Sequence, residues 1–376
     1  MFMDVSSEMV HAYLPVFLVS TLGASAALVG LIEGIAEGTA MVTKVFSGAI
    51  SDWFGKRKLL AVLGYSLGAL TKPVFALAVT PFEVLAARFA DRVGKGIRGA
   101  PRDALVADVT PAAVRGAAYG VRQALDTVGA FAGPLAGIVL VAGFHLELRT
   151  VFALAIVPGA FAVLLLVLGV DEPRGAPAPA AARERFHPRD LRELSGAFWT
   201  VVAVGAVFTL ARFSEAFLVL RAREVGLSLA WVPVVMIAMN VVYAVVSTPA
   251  GEASDRMDRR LVLAAGLVAL VAADLVLASF GSIAGALAGA GLWGLHMGVT
   301  QGLFAALVAD TAPSALRGTA FGLFNLVSGV STLLASVIAG VLWQSHGSAA
   351  TFLAGATLSG VALVGLLALV RRRPAR

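Results

Sequence analysis

Eight ionisable side chains lie inside otherwise apolar runs of this chain, in two spaced sets. Arg88, Asp91, Lys95, Arg98 and Arg102 recur at intervals of three and four, and Glu33, Glu37 and Lys44 at intervals of four and seven. At 100° per residue the first set falls within about 80°, a single stripe of one helix, and the second shares a face of another. A charge at mid-membrane costs about 2.5–3.5 kcal/mol on the insertion scale. Together they would cost on the order of 20 kcal/mol, more than the roughly 5–15 kcal/mol that holds a protein folded. These groups must therefore pair or meet water. A purely structural arrangement would set Glu33 and Glu37 against Lys95 and Arg98 as a ladder. A functional one would offer charge to a ligand or proton, which is the default reading of ionisable groups within a membrane. Two features favour function. Positions about 202 residues later are neutral, with Met297, Thr300 and Phe304 answering Lys95, Arg98 and Arg102. The cations of the stripe also outnumber the carboxylates of the second set, leaving positive charge for an anionic ligand or for Asp126.

Proton coupling needs a carboxylate whose surroundings change between states, since desolvation favours its neutral form and a nearby cation its charged form. Glu33, Glu37, Asp91 and Asp126 are candidates, with Arg122 one turn from Asp126 as a departing partner.

The elements that position these groups follow from composition. Hydrophobic residues form 59% of the chain and charged ones 14%, outside the range of soluble domains. Apolar runs of about twenty residues suit helices crossing a core of roughly 30 Å, and they lack the alternation of a barrel strand. The expected spans are 3–22, 27–51, 59–79, 82–108, 116–141, 150–169, 197–220, 229–250, 261–278, 282–309, 317–342 and 349–370. Basic residues cluster in alternate connections, at Lys56–Lys58, Arg115, Arg174–Arg192, Arg256–Arg260, Arg317 and Arg371–Arg376. This puts both termini and the central linker in the cytoplasm. It also accounts for the net charge of +6 without nucleic acid. Cysteine is absent. The start, with Asp4 and Glu8, does not read as a cleavable signal peptide.

The chain repeats itself. ALVADVTPAAVRGAAYGV (Ala104–Val121) returns as ALVADTAPSALRGTAFGL (Ala306–Leu323), and GAISDWFGKRK (Gly48–Lys58) as GEASDRMDRR (Gly251–Arg260). Parallel duplicated halves in so apolar a chain predict a transporter that rocks about a central site. The expected architecture is all-α, with twelve transmembrane helices in two pseudo-symmetric six-helix bundles. Residues 1–170 form the first, 171–195 a cytoplasmic linker containing GAPAPAAA, and 196–376 the second.

At GAISDWFGKRK the chain resembles the major facilitator superfamily, whose loop after helix 2 carries Gly48, Asp52, Gly55, Lys56 and Arg57. Trp53 stands where the family has Arg. Arg88 matches the start of the helix 4 signature, but Asp91 and Arg92 replace its Gln-Gly. Gly129, Gly133, Pro134 and Gly137 match the helix 5 antiporter signature. GKGIRGAPRDALVAD resembles a poorly characterised bacterial and archaeal branch, so no substrate is named. The resemblance implies a conformational latch at Gly48, Asp52, Gly55, Arg57 and Asp255, and cavity positions for Glu8, Arg212 and Glu215. Arg212 and Glu215 lie three apart, and an ion pair within one helix is the structural alternative. The resemblance places Asp4 and Glu8 deeper in helix 1 than they stand here, as if its first turns were missing. The Gly stripe independently offers a smooth face for close helix approach.

Some patterns are discounted. Gly94–Gly99 fits GxGxxG but follows no strand, and no Ser or Thr follows Lys95 as a P-loop requires. No nucleophile–base set or metal cluster suggests an enzyme, and no cofactor or metal is expected. Met236, Met239, His296 and Met297 could form a soft copper site, though Met at helical spacing is more often packing. His11, near a span end, suggests nothing specific. The expectation is a monomeric, multi-pass secondary transporter of the cytoplasmic membrane that exports a small anionic or zwitterionic organic molecule in exchange for protons. Asn240, Tyr243, Gln301 and Asn325 would add hydrogen bonds from the second half. Rival readings are anion uptake or exchange, copper transport, and a non-transporting membrane sensor.

Overall fold

The computed structural model describes residues 1–54, 56–111, 114–171, 193–300, 302–313 and 316–371, and their regular structure is helical. The first half contains α1 (Phe2–His11), α2 (Leu14–Ser20), α3 (Ala26–Phe54), α4 (Arg57–Leu77), α5 (Pro81–Val109), α6 (Arg115–Ile138), α7 (Leu148–Leu154) and α8 (Ile156–Gly169). The second contains α9 (Gly196–Ala211), α10 (Ala216–Glu224), α11 (Val234–Arg256), α12 (Arg259–Ser279), α13 (Ile283–Thr300), α14 (Leu303–Thr311) and α15 (Arg317–Arg371). Gly347, at φ 85° and ψ 173°, interrupts α15. Among the described residues, nine stretches are long and apolar enough to cross a membrane. The difference from the expected twelve has three sources. The many charges of α5 interrupt its apolar surface, α1 and α2 are separate short helices, and α15 runs as one stretch across Gly347.

Several helices are broken. Ala12–Tyr13 separates α1 from α2, Ala155 separates α7 from α8, and Gly302, at φ 79°, precedes α14. Arg212–Glu215 separates α9 from α10, which corrects the expectation of one continuous helix over 197–220. A break leaves backbone groups that hydrocarbon cannot satisfy, so side chains must. Ser6 Oγ donates to the Ala155 carbonyl (2.6 Å), and the Ser214 amide donates to Ser336 Oγ (3.2 Å).

Two compact units result, Met1–Leu22 with Ile35–Phe186, and Gly23–Gly34 with His187–Arg376. The first turns of α3 thus pack in the second unit. A Cβ on Gly34 would lie 2.9 Å from the Leu333 carbonyl, and one on Gly340 2.6 Å from that of Ala26. Phe208, Leu263, Leu267, Leu303 and Leu366 form an apolar core of that unit.

In the first unit the Gly stripe of α6 receives α1. A Cβ on Gly129 would meet Asp4 Cβ at 2.7 Å, one on Gly133 would meet Glu8 Cβ at 2.7 Å, and one on Gly137 would meet Tyr13 Cε2 at 2.8 Å. Pro134 lies within α6, which widens into a π turn over Val139–Gly143. Each half repeats one ion pair at equivalent positions, Arg57 with Asp108 and Arg259 with Asp310. The Asp that marks the ALVAD repeat is thus the carboxylate that holds the first Arg of α4 or α12.

The α1–α6 approach has no spare volume, and overpacking costs about 1–3 kcal/mol. Gly133→Leu should lower thermal stability in detergent by that amount, whereas Gly116→Leu, at an open position, should change it little.

Candidate functional site

A reciprocal cap sets the register of the charged stripe. Thr80 Oγ1 accepts from the Glu83 amide (3.4 Å), Glu83 Oε2 accepts from the Thr80 amide (3.2 Å), and Pro81 fills the first turn. From there α5 runs unbroken to Val109, and Arg88, Asp91, Arg92 and Arg98 are all buried.

Their partners come from three other helices. Lys72 of α4 donates to Asp91 Oδ1 at 2.8 Å and to Ser7 Oγ of α1 at 3.3 Å. Arg92 lies 3.7 Å from Asp91 Oδ2 and 3.4 Å from Glu37 Oε1 of α3, while Arg88 reaches the same Glu37 oxygen at 3.7 Å. Arg92 also meets the His11 ring, and His11 Nδ1 is 3.9 Å from Glu8. Of the structural alternative, a ladder of Glu33 and Glu37 with Lys95 and Arg98, Glu37 instead pairs with Arg88 and Arg92. One turn of difference along α5 decides it. Glu33 is buried, but in the stretch of α3 that packs in the second unit.

Arg98 turns to α4 instead, its guanidinium 4.8 Å from the Tyr65 ring centroid. Small residues make that approach possible, since a Cβ on Gly64 would stand 2.7 Å from the Gly94 carbonyl. Arg102 and Arg122 share Asp126, at 3.5 and 3.1 Å, and Arg122 also reaches Asp103 at 3.4 Å. Lys95 differs from all of these. It is exposed, and it makes no salt bridge or hydrogen bond among the described residues. Lys44 is exposed as well.

In the second unit Arg212 and Glu215 sit half-buried in the α9–α10 break, and Asn240, Tyr243 and Asn325 are half-buried on α11 and α15. A Cβ on Gly298 would lie 3.1 Å from the Tyr243 carbonyl, so α11 and α13 cross closely there. His296 is fully buried. Its Nδ1 lies 2.8 Å from the Gly266 carbonyl and its ring stacks on Phe208 at 5.2 Å. Met236 and Met239 are buried in the packing. Of the latch, Arg57 pairs with Asp108. Gly55 and Gln301 lie outside the described residues, as do the surroundings of Gly48 and the side chains of Asp52 and Asp255.

Sequence reasoning missed Lys72, Arg92, His11 and Ser7 as members of the cluster. Lys72 carried a readable signal, a lone cation inside the apolar run before Pro73. His11 carried none, because its role depends on α1 meeting α5.

Removing one partner of a buried pair leaves an uncompensated charge, costing about 3–5 kcal/mol. Lys72 and Asp91 are 1% and 4% exposed, so Lys72→Met should destabilise by about that much. Adding Asp91→Asn should recover most of the loss, as read from melting curves of the two variants.

The sequence model of the Major Facilitator Superfamily matches residues 1–239 and 216–376. An uncharacterised MFS-type transporter of Methanocaldococcus jannaschii is 32% identical over 372 residues, covering 97% of this chain and 91% of that one. The multidrug resistance protein MdtH of Photorhabdus laumondii is 31% identical over 128 residues, 34% of this chain and 32% of its own. Among solved structures, a nucleoside transporter, NupG, superposes with a TM-score of 0.83 at 13% identity, covering 98% of this chain and 97% of that one. A likeness at that identity concerns the fold.

Proposed function

The chain belongs to the major facilitator superfamily, and on that premise we propose that it is a twelve-span, proton-coupled exporter of a small anionic or zwitterionic organic molecule. It works as a monomer in the cytoplasmic membrane with both termini inside. Residues 1–170 rock against residues 196–376, and residues 171–195 tether them. Its partners are the substrate, protons and the bilayer.

Lys95 carries this reading. Its neighbours on the stripe, Arg88, Arg92 and Arg98, are buried among carboxylates or against an aromatic ring, whereas Lys95 is exposed without a salt bridge among the described residues. An exposed ammonium without a salt bridge is the cation of the stripe left to meet a carboxylate, sulfonate or phosphate. Glu8 and Glu37 lie close enough to Lys95 to interact with it electrostatically. An arriving anion competes with them for the same cation, and a carboxylate that loses its cation binds a proton more readily. Anion binding and protonation of the carboxylate are thereby coupled through Lys95, each favouring the other, and exchange rather than co-transport is supported by the Gly129–Gly137 stripe instead. Arg212, Glu215, Asn240, Tyr243, Gln301 and Asn325 supply the polar contacts of the other half. Gly48, Asp52, Gly55, Arg57 and Asp255 serve as the cytoplasmic latch. The Gly129–Gly137 stripe, with the partial likeness to a multidrug resistance protein, supports export as the direction.

One observation favours a second reading, anion uptake or exchange. Glu37 and Asp91 are each held by cations, as structural carboxylates would be.

The test is purified protein in vesicles loaded with a pH-sensitive dye, challenged with organic anions, zwitterions and neutral molecules. Export in exchange for protons predicts a substrate-triggered proton flux that falls at least tenfold in Lys95→Ala and is lost in Glu37→Gln. Anion flux with no accompanying proton movement would establish the second reading instead.

A further inference from the structure

The second unit holds one carboxyl group unlike any in the charged stripe. Asp274 is the sole acidic residue of α12, and it is fully buried with neither Oδ1 nor Oδ2 hydrogen-bonded among the described residues. Its place has been cleared for it. Gly355 of α15 lies beside it, and a Cβ there would stand 2.6 Å from Asp274 Oδ2 and 3.0 Å from Phe213 Cε1. The antiparallel register of α12 and α13, with Gly289 against Leu277 and Gly266 against Thr300, brings Asp274 level with Leu292 and Trp293. Trp293 is fully buried, and its indole Nε1–H is likewise without a partner. The Phe213 ring stands 5.3 Å from that of Trp293 and 5.6 Å from that of Phe352. Aromatic rings and a glycine thus wall a carboxyl group away from water.

Charged and titratable neighbours are all engaged elsewhere or set apart. Arg221 of α10 donates through Nε to the Leu277 carbonyl at 3.0 Å, one turn along α12 from Asp274. Its Nη1 donates to Ser348 (3.0 Å) and Glu224 (2.9 Å). From α13, His296 directs Nδ1 to the Gly266 carbonyl. Arg212 and Glu215 belong to the α9–α10 break, α11 brings Tyr243, and α15 offers neutral hydroxyl groups. None of them forms an ion pair with Asp274 among the described residues.

A bare carboxylate in such surroundings carries a prohibitive desolvation cost, whereas a neutral acid costs no more than an unmade hydrogen bond. A merely structural acid would have found donors, because buried polar groups that serve packing are nearly always bonded. We propose that Asp274 is a proton-holding site of the second unit, loaded in the state seen here and discharged when Arg221 moves one turn down α12 to meet it. On discharge the carboxyl O–H bond breaks and the proton passes to water. The resulting carboxylate pairs with the Arg221 guanidinium, and Glu224, already 45% exposed, is left to solvent. The link of this proton to transport rests on the proton-coupled reading above, but the presence of the proton does not.

Difference infrared spectroscopy of the full chain in vesicles, stepped from acidic to alkaline pH, reads the site directly. The expected result is a neutral-acid carbonyl band in the native protein that is missing from Asp274→Asn, with the melting temperature unchanged or raised. In Arg221→Lys the band should persist to higher pH, since a lysine cannot keep the same fork of contacts. Loss of no band in Asp274→Asn, or a lowered melting temperature, would mean that the carboxyl is ionised and paired, and would overturn the assignment. Substrate-driven proton flux, measured alongside, separates the two claims. A native protein without flux but with the band refutes proton-coupled export and retains the proton on Asp274. A native protein with flux and without the band does the reverse.

Discussion

The cost of holding charge out of water governs the first half of this protein. α5 carries four buried charges within about three turns, and no helix can do so alone in hydrocarbon. Ser7 and His11 of α1, Glu37 of α3 and Lys72 of α4 answer them. The positions of three helices around α5 are thereby set by electrostatic need as much as by apolar packing, which between membrane helices supplies little drive of its own. Glycine does the complementary work. Gly64, Gly94, Gly129 and Gly133 let backbones approach closely enough for short side chains such as Ser7 and Asp91 to reach their partners.

Duplication shows which features the common fold needs and which were added to one half. Arg57–Asp108 and Arg259–Asp310 occur in both halves, at the end where α4 and α12 begin. Such pairs, partly exposed, add little to stability, and their value is positional, tying the start of α4 to the end of α5 and the start of α12 to the end of α14. The charged cluster occurs only in the first half. Where it would recur, Met297, Thr300 and Phe304 stand instead, Thr300 bonding the His296 carbonyl and Phe304 packing on Phe208. The first half is therefore rich in buried fixed charge where the matching stretch of the second is aromatic and apolar, and Asp274 is a buried acid there without a hydrogen bond among the described residues.

The breaks in the helices carry a related lesson. At Ala155, where the dihedrals stay helical, Ser6 donates to the carbonyl, while at Arg212–Glu215 the backbone leaves the helix within an apolar run and Ser336 accepts from the freed Ser214 amide. The second break places Arg212 and Glu215 on irregular backbone, where spacing along a helix no longer determines whether they meet. In a superfamily of transporters, unwound backbone near the middle of a span is where polar ligands find unpaired groups.

Much was legible before any coordinates. Apolar run lengths announced membrane helices, and the repeated ALVAD string announced two stretches that share the Arg57–Asp108 and Arg259–Asp310 pairs. The stripe Arg88–Arg102 and the Gly129–Gly137 face were readable because both obey the helical period, a property of single elements. What only tertiary structure decided was pairing. Glu37 pairs with Arg88 and Arg92, and periodicity cannot choose these over Lys95 and Arg98, since a one-turn shift between α3 and α5 changes the answer. Lys72 and His11 join the cluster through helix contacts that sequence spacing does not encode. Asp274 is a single acid in an apolar run of the sequence, and its isolation follows from what α13 and α15 fail to offer it. Periodicity is a one-dimensional property and can be read from the chain, whereas partners, and the lack of them, depend on helix register in three dimensions.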